Sequence, residues 1–218
     1  LSLDLYQLLK PCQSLFKLSK MKQPDLENFV GIHNRKYCDG GQCIRLYKTF
    51  MKKKDPEAAN IVMGHNEEDL LGLGTIFSLL AYKKLYDGEY HPKQCVILEQ
   101  ELKIVIELSA AAPVNVSCGN SDFYLSVNGY EARMLVHLKE GKLRQYYRNY
   151  KDYEFIPGED TAMPKSITRY MDKSLKIATT PQTCYTWFNC DEDFLNNEKK
   201  QMQYLTHTLP FFLDNLNK

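Results

Sequence analysis

The sequence contains no run of about 18 consecutive apolar residues, which is the length that a membrane-spanning helix requires. Its first residues also lack the charged, apolar and small-residue zones of a secretory signal. With 44% hydrophobic and 25% charged residues, the composition is that of an ordinary globular protein. We therefore expect a globular protein that makes no membrane contact.

The cysteines lack the spacing of the common metal and disulfide scaffolds. There are seven of them, an odd number, and no two form a Cys-x-x-Cys pair. Zinc ribbons need such pairs, and small secreted proteins normally carry an even number of cysteines. The pattern predicts reduced thiols and a cytoplasmic location.

An excess of either charge is also missing. The 28 Lys and Arg residues nearly balance the 27 Asp and Glu residues, which leaves a formal net charge of +1. A chain this close to neutral has no global field that would draw it onto nucleic acid. Any contact with nucleic acid must therefore come from local basic patches.

Residues 1–90 show mainly helical patterns. Apolar residues recur at helical spacing over residues 42–53 and again over residues 66–86. Gly64 is expected to separate the second of these helices from a short one before it. A short strand is predicted at residues 4–6, and Pro11 should stop any helix that follows it.

Beyond residue 90 the apolar residues alternate, as they do in strands. Residues 92–156 are predicted to form an antiparallel meander, with a hairpin turn at Asn128-Gly129. Helices are expected at residues 165–173 and 198–215. The sequence thus predicts an α+β protein with a helical domain over residues 1–90 and an α+β domain over residues 91–218.

His65 and Asp69 are the first candidate site residues. Their separation of four residues places both side chains on one face of a helix. A carboxylate there could ligate Mg²⁺ or Mn²⁺, and the histidine could take a proton from an attacking water. Spacing alone leaves the alternative open that they form an ordinary pair on a helix surface.

A second candidate site interleaves basic and aromatic side chains. Such mixtures bind single-stranded nucleic acid through phosphate contacts and base stacking. The alternative is a strand with one aromatic face in the core and its charges in water. The nucleic-acid-binding candidates are Arg144, Tyr146, Arg148 and Lys151.

Five separated segments resemble the YprB-type ribonuclease H-like family, a bacterial branch of the DEDD exonuclease superfamily. They occur in the family's order: residues 4–11 (Asp-Leu-Tyr-Gln-Leu-Leu-Lys-Pro), residues 26–32, Gly40-Gly41, Leu46-Tyr47, and residues 65–73 (His-Asn-Glu-Glu-Asp-Leu-Leu-Gly-Leu). The resemblance implies that residues 1–90 are the mainly helical C-terminal half of a ribonuclease H-like domain.

The resemblance also implies roles for the candidate residues. In the superfamily, four carboxylates hold two divalent metals, and Asp69 matches the fourth of them. His65 takes the place of the residue that positions or deprotonates water. The first acidic motifs would lie before Leu1, and the first methionine is Met21, so we expect a processed product or part of a longer polypeptide.

Two functions follow as expectations. The first is a fragment of a metal-dependent ribonuclease H-like nuclease, inactive as this chain alone because two-metal catalysis needs ligands on both sides of the scissile phosphate. Mg²⁺ or Mn²⁺ would bind only if the missing carboxylates were supplied. The second is a non-catalytic nucleic-acid-binding or scaffold protein. In either case the uncovered helices should self-associate or bind a missing N-terminal segment.

Overall fold

The computed structural model describes residues 3–33, 35–37 and 40–216. The chain forms two compact units, Leu1–Leu80 and Ala81–Lys218. Helices dominate the first unit, and antiparallel sheets with further helices make up the second, so the predicted α+β class is confirmed. The domain boundary at residues 90 and 91 remains a prediction, since compactness alone does not define a folding domain.

The first unit contains no strand among its described residues. Its helices are α1 (Leu5–Leu9), α2 (Gln13–Phe16), α3 (Gln23–Phe29), α4 (Gly40–Lys53) and α5 (Pro56–Ile76). The strand predicted at residues 4–6 is wrong, because Asp4 caps α1 by accepting a hydrogen bond from the backbone N–H of Gln7 at 3.1 Å. Pro11 lies inside a 3₁₀ turn between α1 and α2 and does not end the helical segment. The helix predicted over residues 42–53 is confirmed as α4.

Helix α5 corrects the prediction for the segment that carries His65. Asp55 caps the helix and Pro56 occupies its first turn. The interruption expected at Gly64 is absent, and α5 ends at Ile76 instead of continuing to residue 86. A Cβ atom at Gly64 would overlap the ring of Tyr37. This glycine therefore serves close packing within a continuous helix.

The second unit opens with α6 (Leu80–Asp87) and a three-stranded antiparallel sheet. The strands are β1 (Tyr90–Leu98), β2 (Glu101–Gly119) and β3 (Phe123–His137), in the order β1-β2-β3. The hairpin predicted at Asn128-Gly129 is wrong, since both residues lie inside β3. Gly129 has a φ of +54° and lies opposite Ala112, where the register is irregular on both sides. The Asn-Gly sequence suggested a turn because glycine readily adopts a positive φ. Here the positive φ of Gly129 occurs at an irregularity within a long strand.

The remaining strands do not continue the meander. Strand β4 (Lys142–Tyr146) pairs with β8 (Tyr185–Asn189), while β5 (Tyr153–Ile156) lies between β6 (Thr161–Pro164) and β7 (Ile177–Ala178). The predicted meander over residues 92–156 is thus confirmed only for its first three strands. The other helices are α7 (Lys165–Thr168), α8 (Glu192–Leu195) and α9 (Glu198–Asp214). Helix α7 is shorter than predicted, and α9 confirms the expected C-terminal helix.

The core of the second unit lies on one face of its first sheet. Leu102, Ile104 and Ile106 alternate along β2 and are fully buried. From α9, Phe212 stacks on Phe123 with ring centroids 4.0 Å apart, a contact of the kind that dominates core energetics. Within the described part of the chain, no helix is both long and apolar enough to cross a membrane.

Candidate functional site

His65 and Asp69 lie one turn apart on α5, on the same face as predicted. Nδ1 of His65 is 3.8 Å from Oδ1 of Asp69. His65 is only 8% exposed, and its buried Nδ1 has no hydrogen-bond partner. The pair lies in the middle of α5, whereas the helix predicted over residues 66–86 would have placed it at a helix N-terminus.

The neighbouring Glu68 binds a segment that lies outside the helix. Its carboxylate accepts hydrogen bonds from the backbone N–H groups of Lys36 at 2.9 Å and Tyr37 at 3.3 Å. Together with the ring of Tyr37 against Gly64, these contacts fix residues 35–37 along α5. Arg35, the next residue of the site, belongs to this segment.

Arg35 joins Asp69 to a second carboxylate. Its Nη2 lies 2.7 Å from Oδ1 of Asp69 and 2.8 Å from Oε1 of Glu27, while its Nε donates to Oε2 of Glu27 at 2.7 Å. Glu27 is only 2% exposed. The hydrogen bond from Arg35 is the main cause that lowers the pKa of Glu27, and Glu27 in turn raises the pKa of Arg35. The three side chains form one charge cluster.

Contacts between α3 and α5 also hold this cluster in place. Nε2 of Gln23 donates to Oε1 of Glu27 and to the backbone carbonyl of Asp69, both at 2.8 Å. A Cβ atom at Gly72 would overlap the Glu27 carboxylate. The close approach of α3 to α5 therefore depends on a residue without a side chain at position 72. We call Glu27, Arg35 and Asp69 the arginine cluster.

Sequence reasoning missed Glu27 and Arg35, because no motif joins them to Asp69. The one available signal was weak. Glu27 lies three residues before Val30 and beside Leu26, so it is a carboxylate on the apolar side of a predicted helix. A charge in that position needs a partner, but nothing in the sequence named Arg35.

The arginine cluster does not fit a divalent metal. Both oxygens of Glu27 and Oδ1 of Asp69 already face the guanidinium of Arg35, which would repel a cation. Over residues 3–33, 35–37 and 40–216, no group of three or more His, Cys, Asp or Glu side chains could hold a metal ion. The cluster can fix α3 and residues 35–37 to α5, and it offers no Lewis acid site.

The four nucleic-acid-binding candidates of the second unit do not share one site. Arg144 and Tyr146 are two residues apart on β4, and the guanidinium carbon of Arg144 lies 4.7 Å from the ring centroids of both Tyr185 and Trp187. Tyr146 is 4% exposed and stacks on Phe211 at 3.8 Å. Tyr146 therefore belongs to the core, as the alternative interpretation of this strand expected.

Arg148 and Lys151 lie elsewhere in the second unit. Nη2 of Arg148 contacts the hydroxyl oxygen of Tyr86 at 2.7 Å and Oδ2 of Asp214 at 3.2 Å. Lys151 instead lines a cavity of about 530 Å³ together with three further lysines. Sequence reasoning identified Lys151 but missed the other three, which come from separate segments.

Comparison with known proteins adds information on the first unit. Residues 2–81 match the family model described as RNase H superfamily. No curated protein and no solved structure matches the chain. The matched segment includes His65, Asp69 and the whole arginine cluster. Residues 2–81 are therefore similar in sequence to the ribonuclease H superfamily.

Proposed function

We propose that the protein, which carries a ribonuclease H-like segment, binds nucleic acid and does not cleave it as this chain alone. The match of residues 2–81 to the RNase H superfamily supports the choice of nucleic acid. The contact of Arg35 with Asp69 at 2.7 Å carries the second part of the proposal. Through this contact Arg35 occupies one oxygen of the carboxylate that the resemblance to YprB-type nucleases implies as a metal ligand.

The charge balance explains why a metal is not expected. Mg²⁺ and Mn²⁺ bind oxygen ligands and carry two positive charges. At the arginine cluster, the two carboxylates of Glu27 and Asp69 already share the charge of Arg35. A divalent cation that binds Oδ1 of Asp69 would have to displace the guanidinium from that oxygen. Glu27 would still hold the guanidinium beside the cation, and the two positive charges would repel each other.

The experiment is a digestion assay with labelled single- and double-stranded DNA and RNA in the presence of Mg²⁺ or Mn²⁺. We expect binding, measured by fluorescence anisotropy, and no cleavage products. Asp69→Ala serves as the matched control, because a contaminating nuclease would act equally in both preparations. Turnover in the wild type that Asp69→Ala abolishes would overturn the proposal.

A second candidate function is a metal-dependent nuclease of the YprB type, active with Mg²⁺ or Mn²⁺ once further carboxylates are supplied. The observation in its favour is the buried Nδ1 of His65, which lacks a partner and lies 3.8 Å from Asp69. Leaving such an atom unpaired costs free energy, and polar groups of this kind are often kept for function. Mn²⁺ binding that Asp69→Asn removes, measured by calorimetry, would favour this candidate.

We also propose that the protein self-associates through the first unit. Apolar side chains that are largely exposed lie on α4 and α5: Ile44, Tyr47, Met51, Met63, Leu70 and Leu71. On α4, the first three recur at helical spacing along one face. Exposed apolar patches of this kind commonly mark protein interfaces.

A further inference from the structure

The cavity that contains Lys151 lies in the second unit and has a volume of about 530 Å³. Its lysines come from four places in the chain: Lys151 from the 3₁₀ turn Tyr150–Asp152, Lys165 from α7, Lys173 from the 3₁₀ turn Lys173–Leu175, and Lys176 from the segment before β7. We call it the lysine cleft. The fold brings these positive charges together, and they do not lie along one face of a single helix.

One lysine of the cleft is neutralised. Nζ of Lys176 lies 2.9 Å from Oε2 of Glu154 and donates to the backbone carbonyl of Thr168 at 2.6 Å. The hydroxyl of Thr168 also donates to Glu154. The hydrogen bonds from Thr168 and then from Lys176 lower the pKa of Glu154. Glu154 therefore stays ionised at neutral pH and is already paired.

The other lysines form no direct ion pair, although the charge of Lys165 lies close enough to Glu154 to help lower the pKa of that carboxyl. In the described part of the chain, Lys151, Lys165 and Lys173 have no ion pair within 4.0 Å. Four lysines and one glutamate give the cleft lining a net charge of +3, while the whole chain carries only +1. A cleft lined by one sign of charge concentrates counter-ions, and here those would be anions.

Aromatic side chains form another part of the lining. Tyr150 and Tyr153 line the cleft and are partly exposed. The ring of Tyr153 stacks on Tyr147 with centroids 5.2 Å apart. The hydroxyl of Thr179 donates to the backbone carbonyls of Tyr150 and of Tyr153, which holds the two tyrosines in place. Lysines beside fixed aromatic rings form a surface that suits phosphates and unpaired bases.

We infer that the lysine cleft binds the backbone of single-stranded nucleic acid, with phosphates on Lys151, Lys165 and Lys173 and a base against Tyr150. This inference rests on the proposed nucleic-acid function. It places the contact on the second unit, outside the ribonuclease H-like residues 2–81. Recognition there depends on charge and stacking, so it should be largely independent of base sequence.

The test replaces Lys151, Lys165 and Lys173 together by Gln and measures binding of a short fluorescein-labelled oligo(dT) as a function of salt. Each phosphate contact on a single strand contributes about −0.7 to the slope of log K against log salt, so the slope should become less negative by about 2. The affinity at about 0.1 M salt should fall about 100-fold, since the two proteins should converge near 1 M.

A matched control replaces Lys103, Lys142 and Lys199 by Gln. These lysines belong to the second unit, and none lines the cleft. The control changes the net charge equally, so retained affinity and slope show that position matters and not total charge. Tyr150→Ala should weaken binding about fivefold or more without a change in the slope, because stacking releases no counter-ions.

Any of the following outcomes overturns the inference. The triple cleft variant could keep the wild-type salt slope, or the control variant could lose as much affinity as the cleft variant. The wild type could also prefer duplex over single strands, or bind only the compact anion tripolyphosphate. Wild-type binding with no effect of the cleft variant removes this inference and leaves the proposed function. If the wild type binds no nucleic acid at all, both are overturned. Circular dichroism verifies that each variant is folded.

Discussion

The guanidinium of Arg35 contacts Oδ1 of Asp69 at 2.7 Å while it also holds both oxygens of the buried Glu27. Asp69, the carboxylate that the resemblance to YprB-type nucleases implies as a metal ligand, is thus paired with a cation of the same chain. The contact links residues 35–37 and α3 to α5. The ion pair between Arg35 and Glu27 contributes more to stability than the pair between Arg35 and Asp69, because Glu27 is buried whereas the Asp69 side chain is 37% exposed.

Arg35→Gln should therefore destabilise the protein far more than Asp69→Asn. Removal of Arg35 leaves Glu27 as a buried and unpaired carboxylate, which costs about 3 kcal/mol. Asp69→Asn removes only a partly exposed pair, which is worth less than about 1 kcal/mol. Urea unfolding followed by far-UV circular dichroism measures both changes. Equal losses of unfolding free energy in the two variants would contradict this assignment.

Glu27 should make the protein sensitive to acid. Arg35 lowers its pKa in the folded state below the ordinary value of 4.5. The stability that Glu27 contributes is therefore fully present above pH 4.5 and is lost as the pH falls through the lower, folded-state pKa.

The acid effect can be separated from that of other carboxylates. Glu154, Asp172 and Asp193 also have lowered pKa values, so the wild type alone does not isolate Glu27. The quantity to measure is the difference in unfolding free energy between the wild type and Glu27→Gln across pH. We expect this difference to shrink in acid, and a difference that is constant with pH would count against the role of Glu27.

Two glycines of α5 offer a matched pair of substitutions. A Cβ atom at Gly72 would overlap Glu27, while one at Gly74 would meet nothing within 4 Å. Gly72→Ala should destabilise the protein by about 1–3 kcal/mol through overpacking. Gly74→Ala should stabilise it by about 0.5–1 kcal/mol, because alanine favours a helix interior. Thermal or urea unfolding of the two variants should therefore shift in opposite directions.

Self-association should depend on the exposed apolar side chains of α5. Leu70 and Leu71 are 71% and 68% exposed. The double variant Leu70→Gln/Leu71→Gln should lower the average mass measured by light scattering at a given concentration, with little loss of stability because neither side chain is buried. A wild type that is monomeric at all accessible concentrations would exclude the proposed self-association.

Parts of the fold that depend on neighbours along the chain could be predicted from the sequence. The helices α4 and α9 appear where apolar residues recur at helical spacing, and β2 and β3 appear where they alternate. His65 and Asp69 share a face because a separation of four residues is fixed by helix geometry. In each of these cases the pattern and its structure occupy the same short segment.

The turns and strand partners were predicted less well. Asn128-Gly129 can form a tight turn, but here the same positive φ is accommodated inside β3. Strand β4 follows β3 in sequence and nevertheless pairs with β8. The choice between such alternatives depends on burial against the rest of the unit, which a local pattern does not contain.

The sequence by itself determined the α+β class, the main helices and the alignment of His65 with Asp69, because these follow from periodicity within one segment. Only the tertiary structure decided that Arg35 contacts both Asp69 and Glu27, and that Lys151 lines one cleft with Lys165, Lys173 and Lys176. Charges from distant segments meet only after the chain has folded. Their pairing, and not their presence in the sequence, sets what each site can bind.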